Sequence, residues 1–145
     1  MSAEKFTLAE DLIAPGNPES NYHLVDYETQ ELVSKLWSRY LAVVREGLDP
    51  STPAPAMRWV SYSLESEVLP GQPLTRAIRM ESRSRRSCTF VGALWHADTG
   101  QMIHSATLVT VFLDPVNGSV EVPENFWAAV ERLEGRSIVR SESSS

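Results

Sequence analysis

The chain has 145 residues, a formal net charge of −6 and a sequence pI near 5.0. That size sets one domain around one core, and the acidic balance argues against binding to nucleic acid, which calls for an excess of Lys and Arg on one face. A single cysteine, Cys88, excludes an internal disulfide, no apolar run approaches the roughly 18 residues of a membrane span, and the N-terminus lacks the basic-then-apolar layout of a signal peptide, so a reducing cytoplasm is the expected setting.

Phe6 to Ile13 reads as a short strand, with Phe6, Leu8, Leu12 and Ile13 as its apolar members, and Pro15-Gly16 ends it. A polar, turn-forming loop follows from Gly16 to His23. Then Leu32, Val33, Leu36, Trp37, Tyr40, Leu41 and Val44 recur at steps of three and four, the period of a helix that buries one face. The spacing predicts a helix from Asp26 to Glu46, roughly 30 Å long, with Asp26 as N-cap, Glu28 and Glu31 near the positive end of its dipole, and Arg45 near the negative end before Gly47 stops it. Asp49 to Ala56 holds three prolines and predicts an extended connection.

From Met57 the period changes from 3.6 to 2. Val60, Tyr62 and Leu64 alternate with Ser61, Ser63 and Glu65, and Leu69-Pro70-Gly71-Gln72-Pro73 closes that run. A second run covers about Leu74 to Ser82 and ends in the basic turn Arg83-Ser84-Arg85-Arg86. A third, Ser87 to Ala97, stops at Asp98-Thr99-Gly100, and a fourth covers Gln101 to Asp114. The four runs predict an antiparallel meander, with the last two, apolar or small on both faces, as its central strands. Val122-Pro123-Glu124 opens a short helix with Phe126, Trp127, Val130 and Leu133 as its stripe, and the Ser- and charge-rich tail from about residue 135 predicts disorder.

The layout, the Leu69-Pro70-Gly71 turn, the Arg86-Ser87-Cys88-Thr89-Phe90 strand start, Asp98-Thr99-Gly100, and Val109 to Asp114 followed by Val122-Pro123-Glu124 resemble the hot-dog-fold thioesterases, in the 4-hydroxybenzoyl-CoA thioesterase-like branch. The resemblance spans Phe6 to Leu133 and implies an α+β fold, a curved antiparallel sheet wrapped around one long helix. It implies hydrolysis of an acyl thioester of CoA or an acyl carrier protein, with no cofactor or metal, by a homodimer or a tetramer of dimers. In that family a loop Asp stands ten residues before a Tyr in the first turn of the helix. Here Tyr27 fits the Tyr, and Asn17 stands at the Asp position. An Asn cannot act as general base or carboxylate nucleophile. A polyketide-releasing subgroup known from enediyne pathways is similar in carrying Asn there, a second Asn four residues on, the Tyr, and an Arg further along the helix. Asn17, Asn21 and Tyr27 match it, and Lys35 keeps the charge of the fourth position.

The residues themselves support several roles. Backbone N–H groups at a helix N-terminus lack intrahelical partners, so those of Val25, Asp26 and Tyr27 are candidates to hold a thioester oxyanion. Asn17 is a candidate to position water or the carbonyl, or simply a turn residue before Pro18. His23 adjoins the loop as a candidate base. Glu28 and Glu31 are candidate carboxylates, explained equally by the helix dipole. Leu36, Trp37 and Tyr40 are either the lining of an acyl channel or core. Arg83, Arg85 and Arg86 form either a solvated turn or a landing site for the phosphates of CoA or a phosphopantetheine arm. His96 and His104 lie on strands without ligand-spaced partners, and Cys88 reads as a small core residue. The alternative function is a hot-dog protein that binds or reshapes an acyl chain without hydrolysis, as a binding module, cyclase or dehydratase.

Overall fold

A computed structural model describes residues 3–20 and 22–141. Its elements are β1 (Leu8–Ile13), α1 (Asp26–Arg45), β2 (Ala54–Leu64), β3 (Pro73–Arg83), β4 (Ser87–His96), β5 (Met102–Asp114), β6 (Gly118–Val120) and α2 (Glu124–Glu134). The strands form one antiparallel sheet in the order β1-β3-β4-β5-β2, with β6 on the end of β5. This is the hot-dog arrangement expected from the sequence. The meander, however, holds only for β3, β4 and β5. Strand β2 pairs with β5 at the far edge, so residues 65–72 cross the end of the sheet, and β1 takes the free side of β3. Alternation fixes which face a strand buries but says nothing of its neighbour.

Helix α1 lies across the concave face on Leu32, Val33, Leu36, Tyr40, Leu41 and Val44, all buried. The closest approach is at Gly92 in the central strand, where a Cβ would stand 2.4 Å from Val33 Cγ1. A side chain there would push the helix off the sheet, so glycine sets how deep α1 sits. Strand β2 begins three residues earlier than the sequence predicts and contains Pro55. Its place at the edge explains this, because an edge strand has one side with no ladder bond to lose.

Helix α2 closes the far end of the core through Phe126, whose ring meets Phe112 edge-on at 4.7 Å. Glu134, with a side chain only 2% exposed, accepts from the Tyr40 hydroxyl at 2.6 Å and the Met80 N–H at 3.0 Å, joining α2 to α1 and β3. Burial and that carboxylate hold the Tyr40 phenol well above its ordinary pKa. The segment after α2 is not loose as far as it is described. Ile138 is 4% exposed, and the Arg83 and Ser141 N–H groups donate to Val139 and Arg83 carbonyls at 3.0 and 2.7 Å. A buried isoleucine outweighs a polar composition. No helix among the described residues is long and apolar enough to cross a membrane.

Candidate active site

The start of α1 differs from the predicted cap. Val25, with extended backbone angles of φ −85° and ψ 168°, is the N-cap, and Asp26 is the first helical residue. Valine has no acceptor to offer, so the orphan amides are served by carboxylates further on. Glu28 Oε1 accepts from the Val25 N–H at 3.0 Å and Asp26 Oδ1 from the Tyr27 N–H at 2.9 Å. Of the three amides assigned to an oxyanion, those of Val25 and Tyr27 therefore already have partners, and Glu28 acts as a cap.

Asp26 has a second engagement. Its Oδ2 accepts from the Tyr62 hydroxyl of β2 at 2.6 Å, and this bond, with the Tyr27 amide, holds the carboxyl below its ordinary pKa. The Tyr62 phenol is pushed up by the same carboxylate. Beneath Tyr62, with ring centroids 4.8 Å apart and planes 15° from parallel, lies the fully buried His104 of β5. Its Nδ1 stands 3.2 Å from the Thr29 hydroxyl and its Nε2 2.7 Å from the Gln30 side-chain amide, which in turn donates to Ser34 Oγ at 2.9 Å. Burial pushes the His104 pKa down to about 4, partly offset by the Asp26 charge, so the ring is neutral at pH 7. Asp26, Tyr62, His104, Thr29 and Gln30 thus form one polar cluster between α1 and the β2–β5 pair. The sequence reading missed it, because nothing in residue spacing joins positions 26, 62 and 104.

A cleft of about 500 Å³ opens at this end of the molecule, lined by His23, Val25, Asp26 and Thr29 on one side and by Leu64 to Val68 on the other. His23 Nε2 lies 3.1 Å from Glu67 Oε2 across it. A larger cleft of about 570 Å³ lies at the other end of α1 beside Arg45 and Asp114. There Arg45 donates to the Thr52 carbonyl, and Asp114 accepts from Val116 N–H and Asn117 in its own turn, so the polar groups are already used locally.

The remaining predicted residues are dispersed. Asn17 is exposed, and its Oδ1 accepts from the Glu19 N–H at 3.0 Å, closing a turn within its own loop. That loop is pressed against the turn before β3, where a Cβ on Gly71 (φ +89°) would meet Pro18 Cβ at 3.1 Å. Asn21 lies outside the described residues. Tyr27 is 70% exposed, and Lys35 reaches Glu31 at 3.9 Å on the outer face of the helix. Tyr27, Glu31 and Lys35 share one exposed stripe at four-residue steps.

Leu36 and Tyr40 do not line an open channel. They are 1% and 0% exposed, and the Tyr40 ring meets Phe90 edge-on at 4.9 Å. Trp37, one step round the helix, points toward β2, donates from Nε1 to Thr110 Oγ1 at 2.8 Å, and borders a cleft of about 320 Å³ with Leu41, Ala54 and Pro55. The three arginines of the basic turn diverge. The Arg83 guanidinium stacks on Trp127 at 4.8 Å with its Nε buried and without a hydrogen-bond partner among the described residues, Arg85 pairs with Glu121 at 3.2 Å, and Arg86 donates to the Ser119 carbonyl at 3.4 Å. Cys88 is 1% exposed, and burial holds its thiol far above the ordinary value. Among the described residues, no group of three or more His, Cys, Asp or Glu is placed to hold a metal ion.

No protein-family model and no curated protein matches this sequence. Solved structures do. A thioesterase from Thermus thermophilus, complexed with coenzyme A and Zn, superposes with a TM-score of 0.77 at 16% identity, over 93% of this chain and 99% of that one. A 1,4-dihydroxy-2-naphthoyl-CoA thioesterase from Synechocystis gives 0.71 at 11% identity, over 87% and 96%. A Staphylococcus aureus protein in complex with CoA gives 0.73 at 13% identity, over 93% and 88%. At this identity the likeness establishes the hot-dog fold.

Proposed function

We propose that this chain hydrolyses acyl thioesters, cleaving a fatty or polyketide acyl group from CoA or an acyl carrier protein. The observation that carries the proposal is the cleft at the N-terminus of α1 in a hot-dog fold, lined by a His–carboxylate pair and by Asp26 and Thr29, the two members of the polar cluster that reach it. In this reading a thioester carbonyl entering the cleft competes with Glu28 and Asp26 for the Val25 and Tyr27 amides, while Asn17 and Tyr27, both exposed, do not line it. In this reading the acyl chain extends toward the separate cleft beside Trp37, past the Asp26–Tyr62 hydrogen bond that joins α1 to β2. Arg85 and Arg86, though exposed, pair with Glu121 and the Ser119 carbonyl at the opposite end of β4 from the His96 end that borders the cleft, so they are not placed to hold the phosphates of the leaving arm within one chain. The acting form is a homodimer built on the free edge of β2.

One observation favours the non-hydrolytic alternative, a module that binds or reshapes an acyl chain. The Val25 and Tyr27 amides are held by the protein's own carboxylates, so an oxyanion must displace them. Mass spectrometry of products from a panel of acyl-CoA and acyl-carrier thioesters separates the two. Hydrolysis yields free acid and free thiol in equal amounts, whereas a binding module leaves the thioester whole, a dehydratase lowers the acyl mass by one water, and a cyclase alters the fragmentation of the acyl chain.

A further inference from the structure

The sequence offers His23 only as a residue beside the loop, with no partner. In the structure its partner is Glu67, forty-four positions along the chain in the segment that crosses from β2 to β3, with His23 Nε2 and Glu67 Oε2 3.1 Å apart. The two backbones meet by construction. The Leu24 N–H donates to the Val68 carbonyl at 2.9 Å, and Val68 is 1% exposed, so the residues next to His23 and Glu67 are joined at a buried point. The crossing segment is itself held by three contacts to β4 and β5. The Glu65 N–H donates to Ile103 at 2.8 Å, Ser66 Oγ to the Met102 carbonyl at 2.8 Å, and the His96 ring contacts the Glu67 carbonyl through Nε2 at 3.2 Å. A carboxylate on so fixed a backbone can orient a ring rather than follow it.

We propose that His23 is the general base that activates water against the thioester, and that Glu67 is the positioning residue that aims it. The inference rests on the hydrolase reading and supplies the base that Asn17 cannot be. With Nε2–H donating to Glu67, the neutral imidazole carries its lone pair on Nδ1. Nδ1 takes a proton from water as the water oxygen bonds to the thioester carbon. The tetrahedral intermediate collapses by breaking the C–S bond, and the leaving thiolate takes the proton from the imidazolium. Acid and thiol are the products, and the ring returns neutral. The other charged groups facing the pair are acidic: Asp26 from α1 and Glu65 from the crossing segment line the same cleft, and Glu28 is turned to its cap. His96, from β4, touches only the Glu67 backbone.

The test is the pH profile of kcat/KM on whichever acyl thioester the wild type hydrolyses. The wild type shows an acid limb from a single base. In His23→Ala, kcat/KM falls by about 10²–10⁴ and the limb disappears, with turnover partly restored by added imidazole. In Glu67→Ala kcat falls by up to about 10² with KM little changed and the limb persists, and Glu67→Gln, whose amide oxygen still accepts from Nε2–H, restores most of that loss. Both side chains are solvent-exposed, 46% for His23 and 76% for Glu67, and melting curves matching the wild type's exclude unfolding as the cause. A His23→Ala variant that keeps the wild-type rate and profile overturns the inference while leaving the hydrolase reading intact. A Glu67→Ala variant with the wild-type kcat, or a loss that Glu67→Gln does not restore, removes Glu67 from its role. A wild type that hydrolyses no thioester overturns the hydrolase reading, and this inference with it.

Discussion

A buried histidine that stays neutral makes stability depend on pH in a direction the His104 environment dictates. Its pKa is about 4 when folded, against roughly 6.5 for an unfolded chain, so the unfolded state binds more protons between those values. The contribution is whole above about pH 6.5 and is lost as pH falls toward 4, by roughly 3 kcal/mol at most. Denaturant unfolding across that window should show the slope in the wild type and lose most of it in His104→Gln. Asn17 is expected to act on rate instead. Asn17→Ala should lower kcat by about 10²–10³, beyond what the small loss of melting temperature from opening the Glu19 turn explains, whereas Glu28→Gln and Glu31→Gln should each do much less to the rate. Full activity in Asn17→Ala with either glutamine variant inactive would place a carboxylate at the centre of the chemistry. At this scale little was legible in the sequence. His23 could be suspected, but Glu67 could not be joined to it, nor Tyr62 and His104 to Asp26, because each contact depends on where β2 and the crossing segment lie.

The elements themselves were legible, because periodicity is a local property. The long helix ends at Arg45, one residue from its predicted end, and β3, β4 and β5 fall close to their predicted runs. The three-residue β6 gave too short a pattern to see. What periodicity could not resolve was which apolar residues of α1 face the core and which face the groove, since Leu36, Trp37 and Tyr40 belong to one stripe until the sheet's edge divides them. Their separation is testable. Leu36→Ala should cost roughly 2–5 kcal/mol of stability and leave the preferred acyl length unchanged. Trp37→Ala should shift the chain-length profile of hydrolysis, and an unshifted profile in a variant that melts early would return Trp37 to a core role.

As a whole, the molecule leaves one side unfinished. Among the described residues strand β2 is bonded only to β5, and along it Trp59 is 62% exposed, Val60 36%, Tyr62 40% and Leu64 48%. So much apolar surface on an open edge invites edge-to-edge pairing with a second copy, which would also bring a partner's surface beside the Asp26–Tyr62 pair. Sedimentation should show a dimer or a multiple of it at micromolar concentration, and Val60→Lys should shift it toward monomer. A stable wild-type monomer would contradict this assembly. The central claim, that this fold delivers an activated water directly to a thioester carbon, is tested most directly by a single turnover in ¹⁸O-labelled water, followed by mass spectrometry of the product and the protein. The account predicts that the acid released in that first turnover carries one ¹⁸O and that the protein gains none. An acid carrying only ¹⁶O with the label in a protein carboxylate, or a thioester that is not consumed, would contradict it.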